Sequence, residues 1–167
     1  MMFKINDYLV YGTTGVCQVL DIKKEQFLND EPRDYYILNQ IFSQNTVIKI
    51  PVEHGSGCLR NLYSKEEIAA CIKGIPDLKL LHIEDDRERA QAYRSLLKTG
   101  DCDDLITLIN SIYYRKNDVV PTTKKYNKND DDLMKRAQNL LNEEFAVVLG
   151  IDLDEVKTYI LEQIPQN

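Results

Sequence analysis

Short apolar runs separated by turn residues fill the first third of the chain, a pattern typical of β-strands. Four such runs occur, at residues 8–11, 16–22, 33–42 and 46–51. The first two flank Gly12-Thr-Thr-Gly15, whose terminal glycines favour a tight turn because they adopt backbone angles that other residues avoid. Since the strands are short and no helical periodicity interrupts them, residues 1–58 are predicted to form a small curled β-barrel of the SH3 or Tudor type.

From residue 64 the apolar spacing becomes helical. Ser64 and Glu67 have the spacing of a capping box, in which each side chain satisfies a free backbone N–H at a helix start. Four further helices are predicted at about residues 85–98, from Asp101 or Asp103, over residues 133–148, and from Asp152. The sequence therefore predicts an α+β protein in which a linker at residues 59–63 leads to a compact all-α domain of about five helices, residues 64–167. The alternative for residues 59–62 is a short extended piece that completes the barrel.

The composition is that of an ordinary globular chain, with 43% hydrophobic and 29% charged residues among 167. No apolar run approaches the roughly 20 residues that cross a bilayer. The first residues, Met-Met-Phe-Lys-Ile, contain no signal-peptide core. We therefore expect a cytoplasmic protein without a membrane partner.

The cysteines give no sign of a metal site. They lie at widely spaced positions, Cys17, Cys58, Cys71 and Cys102. His54 and Cys58 lack a second pair of ligands at zinc-site spacing, so we expect four free thiols, no metal and no cofactor. No phosphate-binding loop or nucleophile motif occurs, and the chain has only two histidines, so we do not expect an enzyme.

The first residues of the chain also contain a specific sequence motif. Residues 3–19 read FKxxDxxVYxxxGVxxV, and the fourth apolar run ends in Ile50-Pro51. This segment resembles the RNA-polymerase-interacting module of the CarD/CdnL transcription factors, which also occurs in the transcription-repair coupling factor. Residues 83–101 and 137–150 resemble helical segments of the CarD/CdnL proteins, whereas the coupling factor continues into helicase motor domains. The resemblance thus covers essentially the whole chain and favours CarD/CdnL.

The resemblance implies that the barrel pairs an edge strand with the β subunit of bacterial RNA polymerase, a mode of binding by strand addition. The matching segment comprises Thr46, Val47, Ile48, Lys49 and Ile50. Lys49 corresponds to a basic position of the family and would face an acidic polymerase residue. The alternative is that the apolar residues are barrel core and Lys49 is a solvated charge. At Glu25 the family often has a second basic residue, so this acid alters the expected interface.

The resemblance also implies that the helical domain contacts promoter DNA at the upstream edge of the transcription bubble, where a tryptophan wedges into the minor groove. This chain contains no tryptophan. His82 occupies the corresponding position before Ile83, where it would stack on a base or sugar edge with less apolar area. The alternative is an ordinary surface histidine beside a helix start.

Two groups of basic residues are candidates for phosphate contacts. Arg87, Arg89 and Arg94 lie within two turns of one predicted helix. Lys124 and Lys125 lie in a polar stretch that mixes basic and aromatic residues, a composition expected at nucleic-acid surfaces. Residues 130–132 are all aspartate, and the chain has a net charge of −6, which argues against broad, non-specific attraction to DNA.

These features predict a transcription regulator that binds the polymerase β subunit and stabilises the promoter open complex through its helical domain. The alternative is an adaptor that binds polymerase without touching DNA, which the missing tryptophan and the acidic balance favour. We expect a monomer on polymerase, and an unpaired barrel edge would permit a domain-swapped dimer when the protein is free.

Overall fold

A computed structural model describes residues 2–43, 45–53, 56–118 and 128–166. The chain divides into two units, one ending at Tyr63 and the other beginning at Ser64. The first contains the β-strands and the second contains the long helices. The predicted fold class, a small β domain followed by five helices, is confirmed.

The first unit is built on one antiparallel sheet of five strands. In chain order these are β1 Tyr8–Tyr11, β2 Gly15–Glu25, β3 Arg33–Gln40, β4 Val47–Pro51 and β5 Leu59–Arg60. Their order across the sheet is β4-β3-β2-β1-β5. Leu59 pairs with Tyr11 and Arg60 with Val10, so two residues that the sequence assigned to the linker belong to the sheet.

The turn between β1 and β2 depends on its glycines. Gly12 and Gly15 have φ angles of 43° and 98°, which residues with a Cβ adopt only with strain. The turn is a short 3-10 segment, Gly12–Thr14, and it directs Tyr11 opposite Gly15. The tight connection predicted from the glycine spacing is therefore present.

The sheet closes around a small apolar core. Its buried residues come from all five strands and from the segment before β1: Phe3, Leu9, Cys17, Val19, Tyr36, Leu38, Ile50 and Leu59. Tyr36 also accepts a hydrogen bond at its hydroxyl oxygen from the Phe3 backbone N–H at 3.2 Å. The buried ring is thus satisfied at its polar end, and it ties the N-terminal segment to β3.

The second unit consists of five α-helices. They are α1 Lys65–Lys73, α2 Asp86–Thr99, α3 Cys102–Asp118, α4 Lys128–Leu149 and α5 Leu153–Gln163. The capping box of α1 is confirmed, since the Glu67 N–H donates to Ser64 Oγ and the Ser64 N–H donates to the Glu67 carboxylate. Asp152 stands at the N-cap of α5, where the sequence predicted a helix start, although its side chain makes no capping hydrogen bond.

Each helix of the second unit contributes large residues to a common core. The most deeply buried are Ile68 and Ile72 of α1, Tyr93 of α2, Leu108 and Ile112 of α3, Phe145 of α4 and Val156 of α5. Their spacing of three or four residues within a helix places them on one face. None of the helices in the described part of the chain is both long and apolar enough to cross a membrane.

Two of the cysteines are joined. Cys71 of α1 and Cys102 at the start of α3 form a disulfide across 31 residues, so the expectation of four free thiols is wrong for this pair. Cys17, which is buried, and Cys58, which is exposed, are not joined in a disulfide. His54 lies outside the described residues, and within those described no cluster of His, Cys, Asp or Glu is arranged to hold a metal ion.

Candidate functional site

Strand β4 lies at an edge of the sheet. It pairs with β3 on one side, and no strand of the described residues pairs with it on the other. The Gln40 N–H donates to the Thr46 carbonyl, and the Val52 N–H donates to the Asp34 carbonyl. Because hydrogen-bonded pairs alternate in an antiparallel ladder, Ile48 and Ile50 also turn their backbone groups towards β3.

The same alternation defines the open edge. Val47, Lys49 and Pro51 direct their backbone groups away from β3. The edge therefore offers two N–H donors, from Val47 and Lys49, and three carbonyl acceptors. Pro51 has no N–H to donate, and its place on the open side leaves the β3 ladder intact, which is where sheets tolerate proline.

The side chains of β4 alternate in the same register. Ile50 is buried in the barrel core, and Ile48 packs against it. Val47 and Lys49 are exposed, Val47 to 56%. Thr46 precedes the strand and binds the Ser43 hydroxyl at 2.9 Å across the β3–β4 turn. Of the five residues predicted to contact polymerase, Val47 and Lys49 thus face outwards, while Ile48 and Ile50 hold the strand on the barrel.

Lys49 is paired with the acid that departs from the family pattern. Its ammonium group donates to both carboxylate oxygens of Glu25, at 2.9 and 3.0 Å. The pair lies at the surface, with side chains 48% and 25% exposed, so its contribution to stability is at most about 1 kcal/mol. Its main consequence is local neutrality, because the cation expected to face the partner is already matched by an acid.

The loop between β2 and β3 carries apolar side chains close to the end of β4. Phe27 packs edge-on against Tyr35, with ring centroids 5.4 Å apart, and Tyr35 is the cross-strand neighbour of Pro51. Leu28 is 96% exposed and has a φ of 39°. Sequence reasoning missed this cluster, although an aromatic and a leucine ahead of the turn residues 29–32 were its visible signal.

In the helical unit, His82 is exposed in the irregular segment just before α2. The neighbouring residue is fixed in place, since the Leu81 N–H donates to the Ser111 hydroxyl at 2.9 Å. Ser111 is buried in α3. The segment is therefore anchored on one side and presents His82 to solvent on the other.

Arg89 is not at the surface, so its prediction as a DNA contact is wrong. The residue is 2% exposed, and its guanidinium donates to Asp130 at 3.2 Å and to Asp86 at 2.8 Å. It also donates to the carbonyls of Ile83 and Glu84, both at 3.4 Å. All three nitrogens of the group donate within the protein, and its burial keeps it out of reach of a phosphate.

Electrostatic effects around Arg89 follow from this burial. Burial by itself lowers the pKa of Arg89, but hydrogen bonds and charge interactions with Asp86 and Asp130 raise the pKa above its ordinary value. Burial, followed by the charge of Asp130, raises the pKa of the neighbouring Tyr93. Arg89 is therefore a permanent buried cation that joins α2 to the first turn of α4.

Asp130 is 3% exposed and forms an ion pair with Arg89. It therefore does not place a negative charge at the surface that would repel DNA, as the run of aspartates suggested. Arg87 and Arg94 are exposed, and their spacing of seven places them on one face of α2. Neither has an ion-pair partner in the part of the chain that is described. Lys124 and Lys125 lie outside the described residues.

Matches to known protein families cover both units. Residues 3–62 match the family described as the CarD-like/TRCF RID domain. Residues 82–161 match the CarD C-terminal domain. The chain belongs to the CarD-like family. No curated protein is significantly similar to the whole sequence.

The second match decides between the two families that share the first module. The N-terminal description covers CarD-like proteins and the coupling factor together, whereas the C-terminal description names CarD alone. The resemblance found in the sequence is therefore confirmed. At the level of the family, this CarD-like protein is an RNA-polymerase-interacting transcription factor.

Proposed function

We propose that this CarD-like protein binds the β subunit of bacterial RNA polymerase through β4 and stabilises the promoter open complex through its helical unit. It acts in the cytoplasm, as a monomer on polymerase, and is not an enzyme. The observation that carries the proposal is the open edge of β4. The N–H groups of Val47 and Lys49 and three carbonyls point to that edge, which matches what strand addition requires.

The docking step uses the alternation along β4. A polymerase strand pairs with the backbone of Val47, Lys49 and Pro51, while the buried Ile48 and Ile50 keep β4 on the barrel. Backbone pairing supplies affinity, and the outward side chains supply selectivity. Since Glu25 neutralises Lys49, an acidic residue on polymerase must compete with Glu25 for the same ammonium group.

The DNA-facing step uses the exposed residues of the segment before α2 and of α2 itself. His82 takes the place of the family tryptophan at the edge of the minor groove, and Arg87 and Arg94 contact phosphates. A factor that grips the open complex more tightly than the closed one shifts the equilibrium by that difference. A preference of about 1.4 kcal/mol shifts it tenfold.

The polymerase contact is tested by binding to the isolated β-subunit lobe. Lys49→Glu places two acids side by side at the edge and is expected to weaken binding at least tenfold. Lys24→Glu is the matched control, because it makes the same charge change on β2 at an exposed position that neighbours Glu25 but points to the other side of the strand. Wild-type protein that does not bind the lobe at all would contradict the proposal.

The DNA contact is tested by restoring the aromatic wedge. His82→Trp is expected to lengthen the lifetime of the open complex and His82→Ala to shorten it, without changing affinity for the β lobe. The measurement is the dissociation of promoter complexes after a competitor is added. Equal lifetimes for all three proteins would exclude His82 from the contact.

The alternative function, an adaptor that binds polymerase without touching DNA, is favoured by one observation. With Arg89 buried, the arginines that α2 exposes are Arg87 and Arg94, and they lie beside the acids at its start. The adaptor predicts retained binding to the β lobe together with unchanged promoter lifetimes in an Arg87→Ala, Arg94→Ala double variant.

A further inference from the structure

An apolar groove of about 810 Å³ lies within the helical unit. It is bordered by the segment around residues 75–80 and by α3, α4 and α5. Ile106 and Leu141 are buried at its base, and half-buried residues such as Ile109 and Ile160 line its sides. Its volume lies within the range of about 300–1,000 Å³ typical of small-molecule sites.

The charge lining this groove differs from that of the whole chain. Acidic residues outnumber basic ones by 27 to 21 in the sequence, yet none of the described residues that line the groove is Asp or Glu. Among those lining residues only Lys157 of α5 is charged, and it has no ion-pair partner within the described ranges. The amide side chains of Asn110, Gln138 and Asn142 supply neutral polar groups.

We propose that this groove binds an anionic amphiphile, with the apolar chain along Ile106, Ile109 and Ile160 and the carboxylate at Lys157. An unpaired cation at the rim of an acid-free apolar cleft complements a ligand with one negative end and an apolar body.

The strength of each contact follows from its exposure. The apolar chain is taken out of water, so each added methylene is expected to tighten binding about fourfold until the groove is filled. Lys157 is exposed, so its ion pair with the carboxylate contributes no more than about fivefold. The groove therefore selects primarily for chain length and secondarily for the sign of the head group.

Isothermal titration of the full chain with octanoate, decanoate, dodecanoate and dodecyltrimethylammonium, all below their critical micelle concentrations, tests the proposal. We expect binding to tighten along the carboxylate series and dodecanoate to bind more tightly than the cationic amphiphile. Lys157→Glu is expected to reverse that preference. Lys98→Glu, the same charge change at an exposed site on α2 outside the groove, is expected to leave it unchanged.

Two results would overturn the assignment. One is the absence of binding by any amphiphile to wild-type protein, which would leave the groove to a peptide partner. The other is a head-group preference that Lys157→Glu and Lys98→Glu alter equally, since general surface charge would then explain it. Because Lys49 and the residues that line the groove belong to different units, Lys49→Glu is expected to bind dodecanoate as wild type does.

Discussion

Replacement of Arg89 by methionine is expected to destabilise the helical unit by about 3–5 kcal/mol. The variant keeps the bulk of the side chain but leaves the carboxylate of Asp130, 3% exposed, without its cation. Removing one partner of a buried ion pair has this magnitude because the remaining charge is neither solvated nor neutralised. Asp86, whose side chain is 79% exposed, contributes much less, at most about 1 kcal/mol.

The assay is urea unfolding of Arg89→Met, Arg87→Met and the double variant Arg89→Met, Asp130→Leu. Arg87→Met is the matched control, since Arg87 is exposed on the same helix and its replacement is expected to change the free energy of unfolding by less than 0.5 kcal/mol, as is usual at the surface. The double variant is expected to recover most of the lost stability, because no charge then remains buried. Equal effects of Arg89→Met and Arg87→Met would refute the buried ion pair.

Three further predictions follow from other contacts. Glu25→Gln frees Lys49 and is expected to tighten binding to an acidic β-lobe surface by up to about fivefold, and a titration that shows weaker binding would contradict this. Replacement of Cys71 and Cys102 by serine removes a cross-link over 31 residues and is expected to lower the free energy of unfolding by about 3–4 kcal/mol, with wild type under reducing agent matching the variant. Burial raises the pKa of Glu143, so its protonated form favours the folded state; the resulting stability is complete below the unfolded pKa and is lost as pH rises through the folded pKa. Glu143→Gln is therefore expected to raise the free energy of unfolding at pH 7 by less than about 1 kcal/mol, measured by urea unfolding. The difference from wild type is expected to vanish at acidic pH.

The strand pattern of the first unit was predictable because local residues determine it. Glycines at positions 12 and 15 fix the first turn. The predicted run at residues 46–51 begins one residue before β4 and ends with it at Pro51, a residue type that terminates strands. The pairing of Lys49 with Glu25 was not predictable. It joins β4 to the end of β2, and the coiling of the sheet that brings these side chains together has no signature in either strand.

The burial of Arg89 had a signal in the sequence that was missed. Arg89 stands four residues before Tyr93 and eight before Leu97, so it continues the apolar stripe of α2 towards the core. A charged residue on such a stripe needs a buried partner. That partner, Asp130, lies 41 residues away in another helix, and only the tertiary structure identifies it.

The disulfide and the groove were hidden for the same reason. Cys71 and Cys102 lie in different helices with no spacing motif between them, so their pairing depends on where the fold places the end of α1 relative to the start of α3. The groove draws its lining from three helices and the segment before α2, and each contributes residues that look like ordinary core positions in sequence. What distinguishes these residues from ordinary core residues is that they line a groove, and only the tertiary structure shows this.

Replacement of Val47 by proline tests whether β4 adds as a strand to the polymerase β subunit. The Val47 N–H points to the open edge, so proline removes a donor to the partner without removing a bond to β3. Val47→Thr keeps the N–H and nearly the same shape. Val47→Thr is expected to bind the isolated β lobe as wild type does, while Val47→Pro, still folded by circular dichroism, is expected to bind at least tenfold more weakly. Equal binding by the folded proline variant would contradict strand addition at β4.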